Sequence, residues 1–146
     1  TTTAAGNRMT DIFTISSKGN AIDFAPLSAD AQQMCAFANA TRGIFPLTAD
    51  PSTNQTSIDQ LNLASGGNAI YHGDLGRKTS AQPAAGCNQV RGLVASGFDT
   101  PATSATNHID MIEIQTSGNA VDFGDLARKT TLAHGCSDSH GGLGGF

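Results

Sequence analysis

An all-β fold built from a repeated four-stranded unit is what this sequence predicts, and three observations predict it. One residue pattern recurs three times along the 146 residues, at a spacing of about 50. Within each copy, apolar side chains alternate with polar ones over runs of strand length, the period of a pleated strand with one buried face. The composition agrees: 14% charged residues, 5% aromatic residues and 17 glycines describe short strands joined by small-residue turns, not a Leu/Glu/Lys-rich helical bundle.

In chain order, the first copy opens with Asp11-Ile12-Phe13-Thr14-Ile15, which leads through Gly19-Asn20-Ala21 into Ile22-Asp23-Phe24. The second runs from Ile58-Asp59-Gln60-Leu61-Asn62-Leu63 through Gly67-Asn68-Ala69 into Ile70-Tyr71. The third runs from Ile109-Asp110-Met111-Ile112-Glu113-Ile114 through Gly118-Asn119-Ala120 into Val121-Asp122-Phe123. Each reads as a strand, a turn and a second antiparallel strand. Asn20, Asn68 and Asn119 are the expected turn positions, because Gly-Asn tolerates the positive φ of a tight hairpin. Gly73-Asp74-Leu75-Gly76-Arg77-Lys78-Thr79 then recurs as Gly124-Asp125-Leu126-Ala127-Arg128-Lys129-Thr130, with Ala25-Pro26-Leu27 as a worn first copy. Further strands are expected at Thr131-Leu132-Ala133-His134-Gly135-Cys136 and at Arg91-Gly92-Leu93-Val94, whose copies begin at Arg42 and His140. Four short strands per period of about 50 residues is the layout of a β-propeller blade. The expected core is Ile12, Ile15, Ile58, Leu61, Leu63, Ile109, Ile112 and Ile114, with Phe24 and Phe123 between blades.

The last period resembles kelch-type propeller repeats. Ala133-His134-Gly135-Cys136 is similar to that family's innermost strand, Gly141-Gly142-Leu143-Gly144-Gly145 to its second strand with a glycine doublet, the stretch from Asn107 to Ile114 to its third, and Ala120-Val121-Asp122-Phe123 to its fourth. The Tyr and Trp that usually mark kelch strands are replaced by Ile and Phe. The doublet becomes Ala95-Ser96-Gly97 in the middle repeat and is lost at Phe45-Pro46-Leu47. The Gly-Asn-Ala-x-Asp-Phe-Gly-Asp-Leu run also resembles the degenerate kelch-type repeats of aquatic bacteriophage proteins associated with virions and tails. That resemblance implies a virion or other extracellular assembly as the location.

In kelch order the chain begins within a blade and closes within another. The expected division is a half-blade over residues 1–30, whole blades over 31–76 and 77–128, and a complementary half-blade over 129–146. Three blades are too few for a ring, since propellers typically have 4–8, and unpaired strand edges invite pairing. The halves are therefore expected to complete one another between copies, as a homo-oligomer or a head-to-tail array. Asp11, Ile12, Phe13 and Ile15 would meet Gly141, Gly142, Leu143 and Phe146.

Other chemistry finds little support in the residues. The net charge is −4, and eight scattered Lys and Arg give no basic stripe for nucleic acid. No apolar run approaches the roughly 20 residues of a membrane helix, and no signal-peptide pattern is seen. Cys35, Cys87 and Cys136 are too widely spaced for a disulfide framework and read as small buried residues. His134, Cys136 and His140 have zinc-binding donor atoms but lack a fourth ligand. Asp23, Asp74, Asp122 and Asp125 read as turn caps rather than calcium ligands. No nucleophile elbow or other convergent catalytic set is present, so neither enzyme activity nor a cofactor is expected. Asn39 and Asn54 stand in glycosylation sequons. Arg77-Lys78 and Arg128-Lys129 read as solvated loop charges. The leading expectation is a non-catalytic structural or adhesive protein. The alternative is a module that binds a surface glycan, or another protein, on one loop face.

Overall fold

A computed structural model describes residues 8–48, 56–80, 83–99 and 104–137. The described residues are all-β, in antiparallel sheets, with no helix among them. Strands β1 (Met9–Ile12) and β2 (Ile22–Pro26) pair with one another. Strands β3 (Phe37–Ala38), β4 (Arg42–Pro46), β5 (Ser57–Asn62) and β6 (Ile70–Asp74) form a sheet in sequence order. The third sheet contains β7 (Thr79–Ser80), β8 (Ala84–Cys87), β9 (Arg91–Ala95), β10 (Phe98–Asp99), β11 (Ser104–Glu113) and β12 (Val121–Thr130). Its main body is the meander β8-β9-β11-β12. The short strand β10 pairs with the start of β11 and with β7, which arrives from the preceding sheet.

The repeat is visible in the registers. Ile12 pairs with Ile22, Gln60 with Ile70, and Met111 with Val121. In all three pairs the register then slips at an aspartate: Asp11 faces Asp23, Asp59 faces Tyr71, and Asp110 faces Asp122. The extra residue on the second strand is Phe24, His72 or Phe123, so one β-bulge recurs at one place in every copy. A bulge re-aims the side chains beside it, which turns Phe24 and His72 toward the sheet that follows, while Phe123 is exposed.

Most of the core lies between sheets. Phe37, Ile44, Ile58, Leu75, Val94, Ile112 and Ile114 fill the space between the second and third sheets. Ala25, Leu27, Leu47 and Leu61 fill the space between the β1–β2 pair and the second sheet. The leucine that ends the Gly-Asp-Leu block is thereby explained: Leu27 and Leu75 are inserted between consecutive sheets.

Burial departs from the sequence expectation on the first pair. Ile12 is exposed, and Ile15 is 92% exposed. A strand pair buries both faces only when a sheet lies against each, and among the described residues nothing covers the outer face of β1–β2. Leu63 and Ile109 are half-buried. On β11 the buried positions are Thr106, His108, Asp110 and Ile112, with Ile114 just beyond. Phe24 is half-buried, and Phe123 is 57% exposed rather than packed between blades.

The turn expectation also needs correction. Nine residues separate Ile12 from Ile22, and Gln60 and Ile70 stand equally far apart, so these connections are not two-residue hairpin turns. Only in the middle copy is the glycine left-handed, with Gly66 at φ 64 and Gly67 at φ 93; Gly19, Gly118, Asn20, Asn68 and Asn119 have no positive φ. The three asparagines do hold one position, two residues before the first paired residue of β2, β6 and β12. Gly-Asn-Ala recurs there for a reason other than turning.

Candidate functional site: a repeated joint between sheets

That reason is a set of hydrogen bonds between consecutive sheets. The Gly118 N–H donates to the His72 carbonyl at 2.8 Å, and the Ala120 N–H to the Asp74 carbonyl at 2.8 Å. In return, the Asp74 N–H donates to Asn119 Oδ1 at 3.1 Å. The loop before β12 is thereby fastened along the end of β6. A Cβ on Gly73 would coincide with the Gly118 carbonyl, so only glycine permits this approach. At the earlier joint the Ala69 N–H donates to the Pro26 carbonyl at 3.1 Å. Proline has no N–H, so the Asn68 side chain cannot receive the matching bond there.

The aspartate at the bulge completes each joint. Asp59 is fully buried and accepts from the Ser28 N–H at 2.7 Å and the Ser28 hydroxyl at 2.8 Å. Asp110, also buried, accepts from the Gly76 N–H at 3.2 Å. Ser28 and Gly76 each directly follow the buried leucine of the preceding copy. Both carboxylates are therefore satisfied by backbone arriving from the sheet before, as a buried anion requires. Asp11, their counterpart, is exposed.

His72, the bulge residue of the middle copy, is buried at the second joint. Its Nδ1 lies 2.7 Å from the Gln60 side-chain oxygen and its Nε2 lies 2.9 Å from the Glu113 carbonyl. A neutral ring has one N–H. It satisfies both contacts by donating from Nε2 and accepting at Nδ1 from the Gln60 amide turned over. Burial lowers the His72 pKa below its usual value; the Glu113 carbonyl opposes that shift, and Arg42 reinforces it.

The β3 edge of the second sheet and the β8 edge of the third also meet. The Phe37 ring lies where a Cβ on Gly92 would be, and the Ala85 carbonyl where a Cβ on Gly135 would be. Asn39 Nδ2 donates to the Gln89 carbonyl at 2.9 Å, while its Oδ1 accepts from the Thr41 and Arg42 N–H groups. Asn39 itself is thus buried, with its amide nitrogen and oxygen both engaged, which leaves no place for a glycan in the folded chain. Asn54 lies outside the described residues. The thiols are not uniformly buried: Cys35 is buried, Cys87 half-buried and Cys136 exposed. Burial raises the Cys35 pKa to about 12, against a smaller opposite effect of its backbone hydrogen bond.

Of the residues expected to make contact between copies, Asp11, Ile12, Phe13 and Ile15 are all exposed on or just beyond β1. Gly141, Gly142, Leu143 and Phe146 lie outside the described residues, as does His140. A row on β11 was not anticipated. Thr106 Oγ lies 2.8 Å from His108 Nδ1, and His108 Nε2 lies 3.6 Å from Asp110 Oδ2. It has the order of a hydroxyl–imidazole–carboxylate relay, but all three residues are buried and the carboxylate is engaged by Gly76. Alternation would have shown that Thr106, His108 and Asp110 share a face with Ile112. Among the described residues no three His, Cys, Asp or Glu side chains come together as metal ligands. No helix among them is long and apolar enough to cross a membrane. No protein-family model matches this sequence, and no curated protein matches it.

Proposed function

We propose that this chain is a non-catalytic structural or adhesive β-propeller with degenerate kelch-like blades. On this reading it self-assembles through β1–β2 and the segment after β12, in the manner of a virion, tail or fibre component. The observation that carries the reading is the recurrence of one joint. The same aspartate, the same Gly-Asn-Ala loop and the same bulge link the β1–β2 pair to the second sheet and the second sheet to the third, as stacked blades around an axis require. The convergence of residues 34–36, 85 and 133–135 on one groove at the inner strands fits such an axis.

Self-assembly is supported by the distribution of exposed apolar side chains. Met9, Ile12, Phe13 and Ile15 cluster on and beside β1, and on β12 Phe123 is exposed where its counterpart His72 is buried. Scattered exposed hydrophobics are ordinary, whereas clusters mark contact surfaces. A two-stranded ribbon is also marginal in water and gains from an added strand.

Sedimentation of the purified chain over a wide concentration range tests the reading, with electron microscopy to separate rings from filaments. Discrete oligomers or filaments are expected. Deleting residues 141–146, the proposed second strand of a blade completed between copies, should abolish them. A chain that stays monomeric at high concentration overturns the proposal.

A further inference from the structure

The joint between sheets is directional. One side supplies the end of the fourth strand, and the other supplies a bulge aspartate and a Gly-Asn-Ala loop. Both joints within the chain are filled: β2 meets the loop before β6, and β6 meets the loop before β12. One copy of each side is left over. On β12 the supplying side is Phe123, Gly124 and Asp125, the counterparts of His72, Gly73 and Asp74. On the first copy the receiving side is Asp11, Gly19, Asn20 and Ala21, the counterparts of Asp110, Gly118, Asn119 and Ala120.

Both leftover sides have the form of the joint without its contacts. Asp11 is exposed where Asp59 and Asp110 are buried. Ala21 is exposed where Ala69 and Ala120 are half-buried. Phe123 is exposed where His72 is 1% exposed. At Gly73 the approaching Gly118 carbonyl excludes any side chain, whereas its counterpart Gly124 has nothing near its missing Cβ among the described residues. Gly124 thus leaves the backbone of β12 open at the counterpart of Gly73; its own φ of 141° also favours glycine, and the first joint accommodates Ala25 at this position.

We propose that this third joint forms between two copies of the chain, the receiving side of one docking on β12 of the other. The occupant is a second copy because this chain itself carries the exposed complement. The inference rests on the self-assembly proposed above and specifies its contact surface. In it the Ala21 N–H of one copy donates to the Asp125 carbonyl of the other, and the Gly19 N–H to the Phe123 carbonyl. Asn20 Oδ1 accepts from the Asp125 N–H. Asp11 accepts from the Ala127 N–H, as Asp110 does from Gly76. Residues 126–130 must then leave β11 for the second copy. Thr79 already makes that crossing by pairing with Asp99 of the next sheet, whereas Thr130 pairs back on Thr106. The contact is head-to-tail, so two copies close a ring if the rotation permits, and otherwise they propagate.

Two variants with one damaged side each test it by sedimentation velocity. Asp11→Lys spoils only the receiving side and Phe123→Lys only the supplying side. Both residues are exposed, so thermal melting should not change; if either variant melts early, Asp11→Asn and Phe123→Ser replace them. Each variant alone should associate about tenfold more weakly than the parent, or worse, the scale of losing one charge-assisted hydrogen bond. An equimolar mixture retains one good joint and should form pairs, but nothing larger, where neither variant associates alone. If the parent assembles and either variant assembles equally well, or the mixture forms no pairs, this joint is wrong while self-assembly stands. If the parent never assembles, both proposals fall.

Discussion

Ser96 carries two unfavourable features at once. Its φ is 69°, in the left-handed region, and its hydroxyl is buried without a hydrogen-bond partner among the described residues. Left-handed backbone costs a non-glycine residue roughly 1–2 kcal/mol, and an unsatisfied buried polar group costs about 1–3 kcal/mol. Ser96→Gly removes both and gives back roughly 0.5–1 kcal/mol through the freedom of glycine in the unfolded chain. The variant should be more stable by about 1 kcal/mol or more, read from the urea midpoint. His72 gives a pH dependence at the same scale. Because its folded pKa is lowered, the unfolded chain binds the proton more readily. Stability should therefore hold above about pH 6.5, the ordinary histidine value, and fall as the pH drops below it. Comparing the urea midpoint between pH 7 and 5 in the parent and in His72→Gln isolates this residue, since the variant should lose part of the slope.

At the scale of elements, the joint makes two positions unequal that look equivalent in sequence. Asp59→Asn removes a buried acceptor of two hydrogen bonds from Ser28 and should destabilise the chain by about 1–3 kcal/mol. Asp11→Asn, on the exposed copy, should change the stability of the dilute chain by no more than about 0.5 kcal/mol. Gly73→Ala forces a methyl group into the Gly118 carbonyl and should cost roughly 1–3 kcal/mol, with urea denaturation as the measurement in each case. The all-β character, the period and the antiparallel pairing of β5–β6 and β11–β12 were legible because alternation and repetition are local properties of sequence. The role of Gly-Asn-Ala was not. Its glycine and asparagine satisfy the composition of a turn, and nothing near Asn119 in the sequence identifies Asp74 as its partner. Burial was misjudged at Ile12 and Ile15 for a related reason: alternation identifies a face but not whether another sheet covers it. Thr106, His108 and Asp110 were overlooked because polar residues on a buried face do not look like core until their partners are known.

For the whole molecule, the three cysteines report on three levels of organisation. Cys35 lies in the apolar layer between the second and third sheets, and with its pKa near 12 it holds almost no thiolate at pH 8. It should react with a thiol reagent only when the chain unfolds globally, at a rate that follows the equilibrium population of that state. Cys87 sits on β8, at one edge of the third sheet, its thiol donating to the Ala38 carbonyl at 3.3 Å and lying 3.8 Å from the Ser137 hydroxyl. Its reactivity should rise when residues 132–146 are deleted, while Cys35 stays protected. Cys136 is exposed on the segment beside β8 and should react first in dilute solution. In the assembly proposed here that segment becomes the inner strand of a blade completed by a second copy, so Cys136 should become protected as concentration rises. Pulsed alkylation followed by peptide mass spectrometry, at concentrations below and above the association midpoint, resolves the three sites in one experiment. Asp11→Lys should abolish the concentration-dependent protection of Cys136 and leave Cys35 and Cys87 unchanged. Equal labelling of Cys136 at both concentrations in a parent chain that has visibly assembled would show that the contact between copies lies elsewhere.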